Sequence, residues 1–328
     1  MPRVLVFPFM LHNAPGPYRD ALEAAGLEVV YPVDGTAALA DPAALAREIE
    51  GVDAALAGME PFTRDVLAGS RLRVIARMGV GYDAIDVPAA TDRRIAVCIT
   101  PGTNEVSVAE QALGLLFGVY RAVAARDVEV RSGIWRRKSL PRIAGKTLGI
   151  VGLGRIGRAV VPRALGLGLR VIATEPCPDA TFCQTHSVRT CPLDELLATA
   201  DIVSLHSPAS AETHQLINRR TLAMMKPSAV LINTARGSLV DEQALAEAMA
   251  AGHLLGAGLD AFAIEPLPLD SPLLKLDNVV FSPHMGGLDH ESEVAMSRMA
   301  GECIARLYRG DWPDGCVVNP TIREGWKW

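Results

Sequence analysis

The stretch Thr147 to Glu175 reads TLGIVGLGRIGRAVVPRALGLGLRVIATE. Its apolar opening, Leu148 to Val151, has the length and composition of a buried strand. It runs into Gly152-x-Gly154-x-x-Gly157; an amphipathic helix follows, and a second apolar run, Arg170 to Thr174, stops at Glu175. Strand, glycine turn, helix, strand and terminal acid in this order form a dinucleotide-binding βαβ unit. Gly152 permits the tight turn, Gly154 lets the backbone approach a pyrophosphate with no Cβ between them, and Gly157 lets the helix pack closely on the strand. The unpaired N–H groups at the helix start favour the same anion.

Glu175 stands 18 residues beyond Gly157 (175 − 157). A carboxylate there can accept hydrogen bonds from a ribose diol and would repel a 2′-phosphate. No Arg or Lys follows it before Arg189, so the stretch favours NAD over NADP.

With 328 residues the chain exceeds one ordinary core, and two domains are expected. Hydrophobic residues make up 49% and charged residues 21%, the balance of a globular enzyme. A net charge of −5 without a basic block argues against a nucleic-acid partner. The start, MPRVLVFPFM, lacks a signal-peptide pattern, and no apolar run reaches 18 residues; no membrane span and a cytoplasmic location are expected. The six cysteines contain no CxxC and read as thiols of a reducing compartment. Cys177, Cys183, His186 and Cys191 fit no zinc spacing, so no metal is expected.

Before the fingerprint, short apolar runs alternate with helical stretches. Strands are expected at residues 3–9, 27–31, 53–57, 72–76 and 95–99. Asp41-Pro42 marks a helix start, with Asp as N-cap and Pro at the first helical position. Such alternation indicates a parallel sheet. Pro101-Gly102 ends this unit, and residues 104–131 read as one long helix, roughly 40 Å at about 1.5 Å per residue. Its first half is apolar on most sides and so is buried, partly against a second subunit. After the fingerprint, strands are expected at 202–205, 229–232, 256–259 and 279–281, with helices between, and a last long helix covers 291–309. The fold class is therefore α/β, with doubly wound parallel sheets.

Four short stretches follow the later strands: His206-Ser-Pro208, Asn233-Thr-Ala-Arg236, Asp260-Ala-Phe-Ala-Ile-Glu265-Pro266 and Ser282-Pro-His284-Met-Gly286. All would project from the sheet edge that holds the cofactor. A nicotinamide reaction on a small oxo acid needs a grip on a carboxylate, polarisation of a carbonyl and a proton source. Arg236 can supply a bidentate, permanently charged grip. His284 can protonate the nascent alkoxide, because imidazoles titrate near working pH. Glu265 can accept the other imidazole N–H, fix the tautomer and favour the imidazolium. The loop Arg77-Met-Gly-Val-Gly-Tyr-Asp83 also follows a strand end, and its glycines could bare N–H groups to an anion.

Read together, RMGVGYDAID, GKTLGIVGLGRIGRAV, DIVSLHSP, INTARGSLVDEQAL, GAGLDAF with EPLP, and SPHMGG strongly resemble the D-isomer-specific 2-hydroxyacid dehydrogenases. The resemblance runs from about residue 45 to 320. It implies a Rossmann cofactor domain, residues 101–287, inserted into a flavodoxin-like substrate domain, residues 1–100 plus 288–328. It implies a homodimer served by the helix after residue 101. It makes Arg236, Glu265 and His284 the catalytic residues and places Arg155 and Ile156 over the pyrophosphate. Glu175 would hold the adenosine ribose, His206, Pro208 and Thr213 the adenine and ribose side. Thr234, Ala235, Asp260 and Gly286 would flank the nicotinamide, with Val108 near it. Backbone at Val80 and Gly81 would bind the substrate carboxylate, with Arg77 nearby. Gly287-Leu288-Asp289-His290 and the segment 9–17 depart from the family pattern, which leaves the acid open. The expected activity is NAD-dependent interconversion of a 2-oxo acid and a D-2-hydroxy acid. A non-catalytic NAD-sensing interaction protein of the same fold would keep the same Arg, Glu and His; the compact chain ends argue against it. Formate dehydrogenase, which carries Gln in place of the Glu, is disfavoured by Glu265.

Overall fold

The computed structural model describes the backbone of residues 1–328 and every side chain except those of Thr36 and Ala40. The chain divides into two compact units, one formed by Met1–Asn104 with Asp289–Trp328 and the other by Glu105–Leu288.

The first unit carries five parallel strands, β1 (Arg3–Val6), β2 (Glu28–Val30), β3 (Ala54–Ala57), β4 (Val74–Arg77) and β5 (Ala96–Cys98), in the order β2-β1-β3-β4-β5. This is the flavodoxin-like order, with its reversal beside β1. β3 and β5 are buried along their whole length, as expected of strands covered on both faces. Leu5, Leu56, Ile75 and Val97 build the core with helices on either side. Asp41 caps the helix Pro42–Glu48 through the Ala43 amide, as the Asp-Pro pair implies. The chain's last segment belongs to this unit. Ile99 and Val318 exchange backbone bonds with Cys316 and Val97 at 2.9 Å each, and the Asn319 amide donates to the Ile95 carbonyl. The helix His290–Tyr308 lies on the helix Pro17–Ala24.

The second unit holds seven parallel strands, β6 (Thr147–Val151), β7 (Arg170–Thr174), β8 (Arg189–Thr190), β9 (Ile202–Leu205), β10 (Val230–Asn233), β11 (Gly256–Leu259) and β12 (Val279–Phe281). Their order is β12-β11-β10-β9-β6-β7-β8. Counted within the unit this is the doubly wound 3-2-1-4-5-6 arrangement with one strand added, and the direction of winding reverses between β6 and β9. Separate apolar cores fill the two faces of the sheet.

The long helix expected over residues 104–131 is two helices. Glu105–Arg121 buries Val108, Ala112, Leu115 and Leu116, whereas Val123–Arg131 buries nothing within its own chain. Between them Ala122 adopts a left-handed conformation, φ 49°, and the axes differ by 56°. Helical propensity continues through Ala122; burial does not, and the chain turns where its apolar support ends. Among the described residues no single helix is long and apolar enough to cross a membrane, although this bent pair would qualify by length and composition taken together.

Candidate active site

β6 runs into Gly152, whose φ of 93° suits glycine alone. A Cβ there would lie 2.8 Å from the backbone of His206 and Ser207, which follow β9. The glycine turn and the His206 stretch thus meet at the point where the sheet reverses, where ligands bind in such folds. A Cβ on Gly157 would reach the Gly152 carbonyl oxygen at 2.2 Å, so this glycine sets the closeness of helix and strand. Around Gly154 a Cβ would meet nothing within 4 Å. The helix Arg155–Gly166 starts there with no side chain on its first amides. Arg155 and Ile156 occupy its first turn. This leaves an open anion-binding helix start, as the sequence implies.

Glu175 closes β7. One carboxylate oxygen accepts the Leu153 amide at 2.8 Å, the other the Cys177 amide at 3.3 Å, which ties the acid to the glycine turn. His206 accepts or donates through Nε2 to Ser204 Oγ at 2.8 Å. Its Nδ1 and the hydroxyl of Thr234 are buried without a hydrogen-bond partner. Burial lowers the His206 imidazole to about 4, so the ring is neutral at working pH. Two buried polar atoms without partners, in the stretches after β9 and β10, are what a bound polar ligand would satisfy. Thr213 donates to the Pro208 carbonyl at 2.7 Å and shapes the loop beside them. Val108 is buried on the helix Glu105–Arg121.

The edge beyond β10, β11 and β12 carries Arg236, Glu265 and His284. His284 Nδ1 and Glu265 Oε2 are 2.8 Å apart, with about a quarter of each side chain exposed. The other Glu265 oxygen accepts the Phe262 amide at 2.9 Å. Burial opposes ionisation of Glu265. The bonds from His284 and Phe262 and the positive charge of Arg236 outweigh it, and the carboxyl is held below the ordinary carboxylate range. His284 itself sits at φ 56°. Arg236 follows β10 and donates to the Ala235 carbonyl at 2.7 Å. Among the residues expected at the site, Arg77, Val80 and Gly81 belong to the first unit, at the C-terminal end of β4.

Residues 113–286 match the model of the D-isomer specific 2-hydroxyacid dehydrogenase, NAD binding domain. The chain belongs to this family. It is 41% identical over 271 residues to the glyoxylate reductase of Korarchaeum cryptofilum, covering 80% of this chain and 82% of that one. It is 40% identical over 266 residues to the D-3-phosphoglycerate dehydrogenase of Methanocaldococcus jannaschii, covering 80% of this chain but 51% of that one, so it spans about half of that relative's length. Among solved structures, D-lactate dehydrogenase from Aquifex aeolicus complexed with NAD and lactic acid superposes with a TM-score of 0.84 at 26% identity, covering 97% of this chain and 99% of that one. NAD is the cofactor of this domain. The open helix start, the acid at the end of β7 and the two partnerless buried atoms fit it.

Four residues hold this site through contacts that the sequence does not reveal. Asn233 Oδ1 accepts the Ala235 amide at 3.0 Å while its Nδ2 donates to the Arg236 carbonyl at 2.9 Å, so it clamps the turn that presents Arg236. Asp260, flagged only as a neighbour of the nicotinamide, is buried and accepts the Met285 and Gly286 amides at 2.9 and 2.8 Å, which fixes the turn after His284. Gln111 donates to Ser282 Oγ at 2.8 Å. Glu242 accepts the Ala263 amide at 2.7 Å. A Cβ on Gly237 would fall 1.8 Å from the Phe262 carbonyl carbon, so glycine alone lets the Arg236 turn and the Glu265 turn touch. An Asn at a strand end beside a candidate Arg is a usable sequence signal for the first; Gln111 and Glu242 lie inside helical patterns and give none.

Proposed function

We propose that this protein is an NAD-dependent dehydrogenase that interconverts a 2-oxo acid and a D-2-hydroxy acid. The observation that carries the reading is the 2.8 Å pairing of His284 Nδ1 with Glu265 Oε2. It fixes the tautomer that turns Nε2 toward a substrate oxygen. NAD supplies or takes the hydride at the substrate's C2. In reduction His284 gives its proton to the nascent alkoxide, and in oxidation it removes the hydroxyl proton. Glu265, kept ionised, stabilises the imidazolium. Arg236 binds the carboxylate and the carbonyl oxygen, and drains charge from the carbonyl as the alkoxide forms. In the first unit, the backbone amides at Val80 and Gly81, with Arg77, offer a carboxylate-binding loop. Units 1–104 with 289–328 and 105–288 act as substrate and cofactor domains. The helix Val123–Arg131, which buries no residue within its own chain, supports a homodimer, and the free cysteines fit a cytoplasmic setting.

The test is NADH oxidation, followed by absorbance, across a panel of 2-oxo acids, with NADPH in parallel. Turnover with NADH preferred, lost in His284→Gln, supports the assignment. NADH binding with no turnover of any acid rejects it and favours a sensor.

A further inference from the structure

Ligands of open α/β sheets meet the C-terminal ends of the strands. In the first unit those ends have an unusual charge balance. The loops at residues 7–16, 31–34, 58–63, 78–86 and 99–104 contain no Lys or Arg, and they contain Asp34, Glu60, Asp83 and Asp86. Arg77 is the last residue of β4, and Arg64, which opens the helix after the 58–63 loop, lies 3.9 Å from Asp86. The Arg77 guanidinium folds back over Gly79, donating to the Met78 carbonyl, and the charge of the buried Glu60 faces it.

Apolar groups occupy the same edge. In the turn after β3, Glu60 points inward and accepts the Gly58 amide at 2.6 Å, and burial pushes its carboxyl up. That inward anchor leaves Met59 outside, 46% exposed. After β1, Phe9 is 84% exposed. It is held in place by His12, whose ring lies 5.4 Å from Phe9 and 5.1 Å from Tyr31 and whose Nε2 meets the Phe7 carbonyl at 3.1 Å. Tyr82 stands out from the β4 loop itself. Solvent-facing Met and Phe, each braced by a buried or stacked neighbour, are poor surface residues but suitable walls for an apolar ligand.

The sheet order sets their distances. β3 neighbours β4, and β1 lies next beyond β3. With strands about 4.8 Å apart, Met59 is one spacing and Phe9 two spacings, about 10 Å, from the carboxylate-binding loop after β4. A substituent of three or four carbon–carbon bonds, each about 1.5 Å, spans the first step and begins the second.

We propose that the substrate is a 2-oxo or 2-hydroxy acid whose C3 substituent is apolar, branched or aromatic, with no second anionic group, and that Met59, Phe9 and Tyr82 select it. This rests on the dehydrogenase reading above. The loops at these strand ends offer no Lys or Arg to a phosphate or second carboxylate. A glyoxylate-sized acid would leave the apolar wall uncovered.

The test compares kcat/KM for glyoxylate, pyruvate, 4-methyl-2-oxopentanoate, phenylpyruvate, 2-oxoglutarate and 3-phosphohydroxypyruvate, with the wild-type protein and Met59→Lys. The apolar acids should exceed glyoxylate and both dianionic acids by at least about tenfold. Met59→Lys, a change at an exposed side chain, should lower the apolar acids and raise the dianionic ones. Preference for glyoxylate or for a dianionic acid overturns the proposal and leaves the dehydrogenase reading standing, as does an unchanged ratio in Met59→Lys. No turnover of any acid, with NADH bound, overturns both.

Discussion

Glu242 and Glu265 accept hydrogen bonds from successive backbone amides, those of Ala263 at 2.7 Å and Phe262 at 2.9 Å. Two carboxylates therefore share one turn, and their environments drive them apart. Glu265 is held low by His284 and Phe262 against its burial, whereas burial and the charge of Glu265 push Glu242 up. A carboxyl whose folded value is raised contributes stability below its unfolded value and loses it as pH rises through the folded value. Glu242→Gln keeps the acceptor for Ala263 and removes the charge. Its stability relative to wild type, from urea unfolding, should be more favourable at pH 7.5 than at pH 4. An equal difference at both would detach Glu242 from the electrostatics of this turn.

His284→Gln preserves the size and hydrogen-bonding shape of the side chain but cannot carry the proton. Turnover should fall by about 10²–10⁴, with NADH affinity, read by fluorescence titration, left unchanged. Glu265→Gln should cost less at the optimum. Turnover equal to wild type in Glu265→Gln would leave Glu265 a structural role only.

Arg236 is presented by Asn233, which clamps the turn from both sides. Arg236→Ala should lower kcat/KM by about 10²–10³, the scale of losing one donor to a developing oxyanion. Arg236→Lys restores the charge but not the planar fork, so recovery should be partial and seen mainly in KM. Full recovery by Lys would mean that charge alone is used.

These groups differ in how visible they are in the sequence. The glycine turn is legible because Gly152 and Gly157 answer local steric demands, as the collisions that a Cβ would meet at each show. The Asp41-Pro42 helix start is legible for the same reason: Asp41 caps its own neighbour. Arg236, Glu265 and His284 are visible only as an ordered set at successive strand ends. The break at Ala122 is invisible, since it follows from loss of burial rather than from any breaker residue. Glu242 is hidden because an acid in the first turn of a helix is ordinary. Its second use, on the Ala263 amide, depends on a contact between segments 21 residues apart.

Gly237 is a sharper case of such a contact. Its missing Cβ is what allows the Arg236 turn to lie against Phe262. Gly237→Ala must push the two turns apart, with an overpacking cost of about 1–3 kcal/mol. The variant should unfold at lower urea concentration, and its turnover should fall further than its stability predicts, because Arg236 and Glu265 are displaced relative to one another. Wild-type turnover at reduced stability would show that the turns can separate without harm.

His206 makes the unit that carries it sensitive to acid. The unfolded chain takes up a proton on this ring near its ordinary value of 6.5, while the folded chain does so only at about 4. The sign follows directly: as pH falls from 6.5 toward 4, the unfolded state binds the proton and the folded state does not, so stability is lost across that window. The loss is on the order of 3 kcal/mol at most, from 1.36 kcal/mol per unit. His206→Gln keeps a partner for Ser204 and removes the titrating group. Urea unfolding at pH 7.5 and pH 5 should show a smaller acid loss in the variant than in wild type, and bound NADH should reduce it in wild type by occupying Nδ1. Parallel losses in the two proteins would mean that the buried ring takes up its proton without cost, and that its neutral state is not what this site requires.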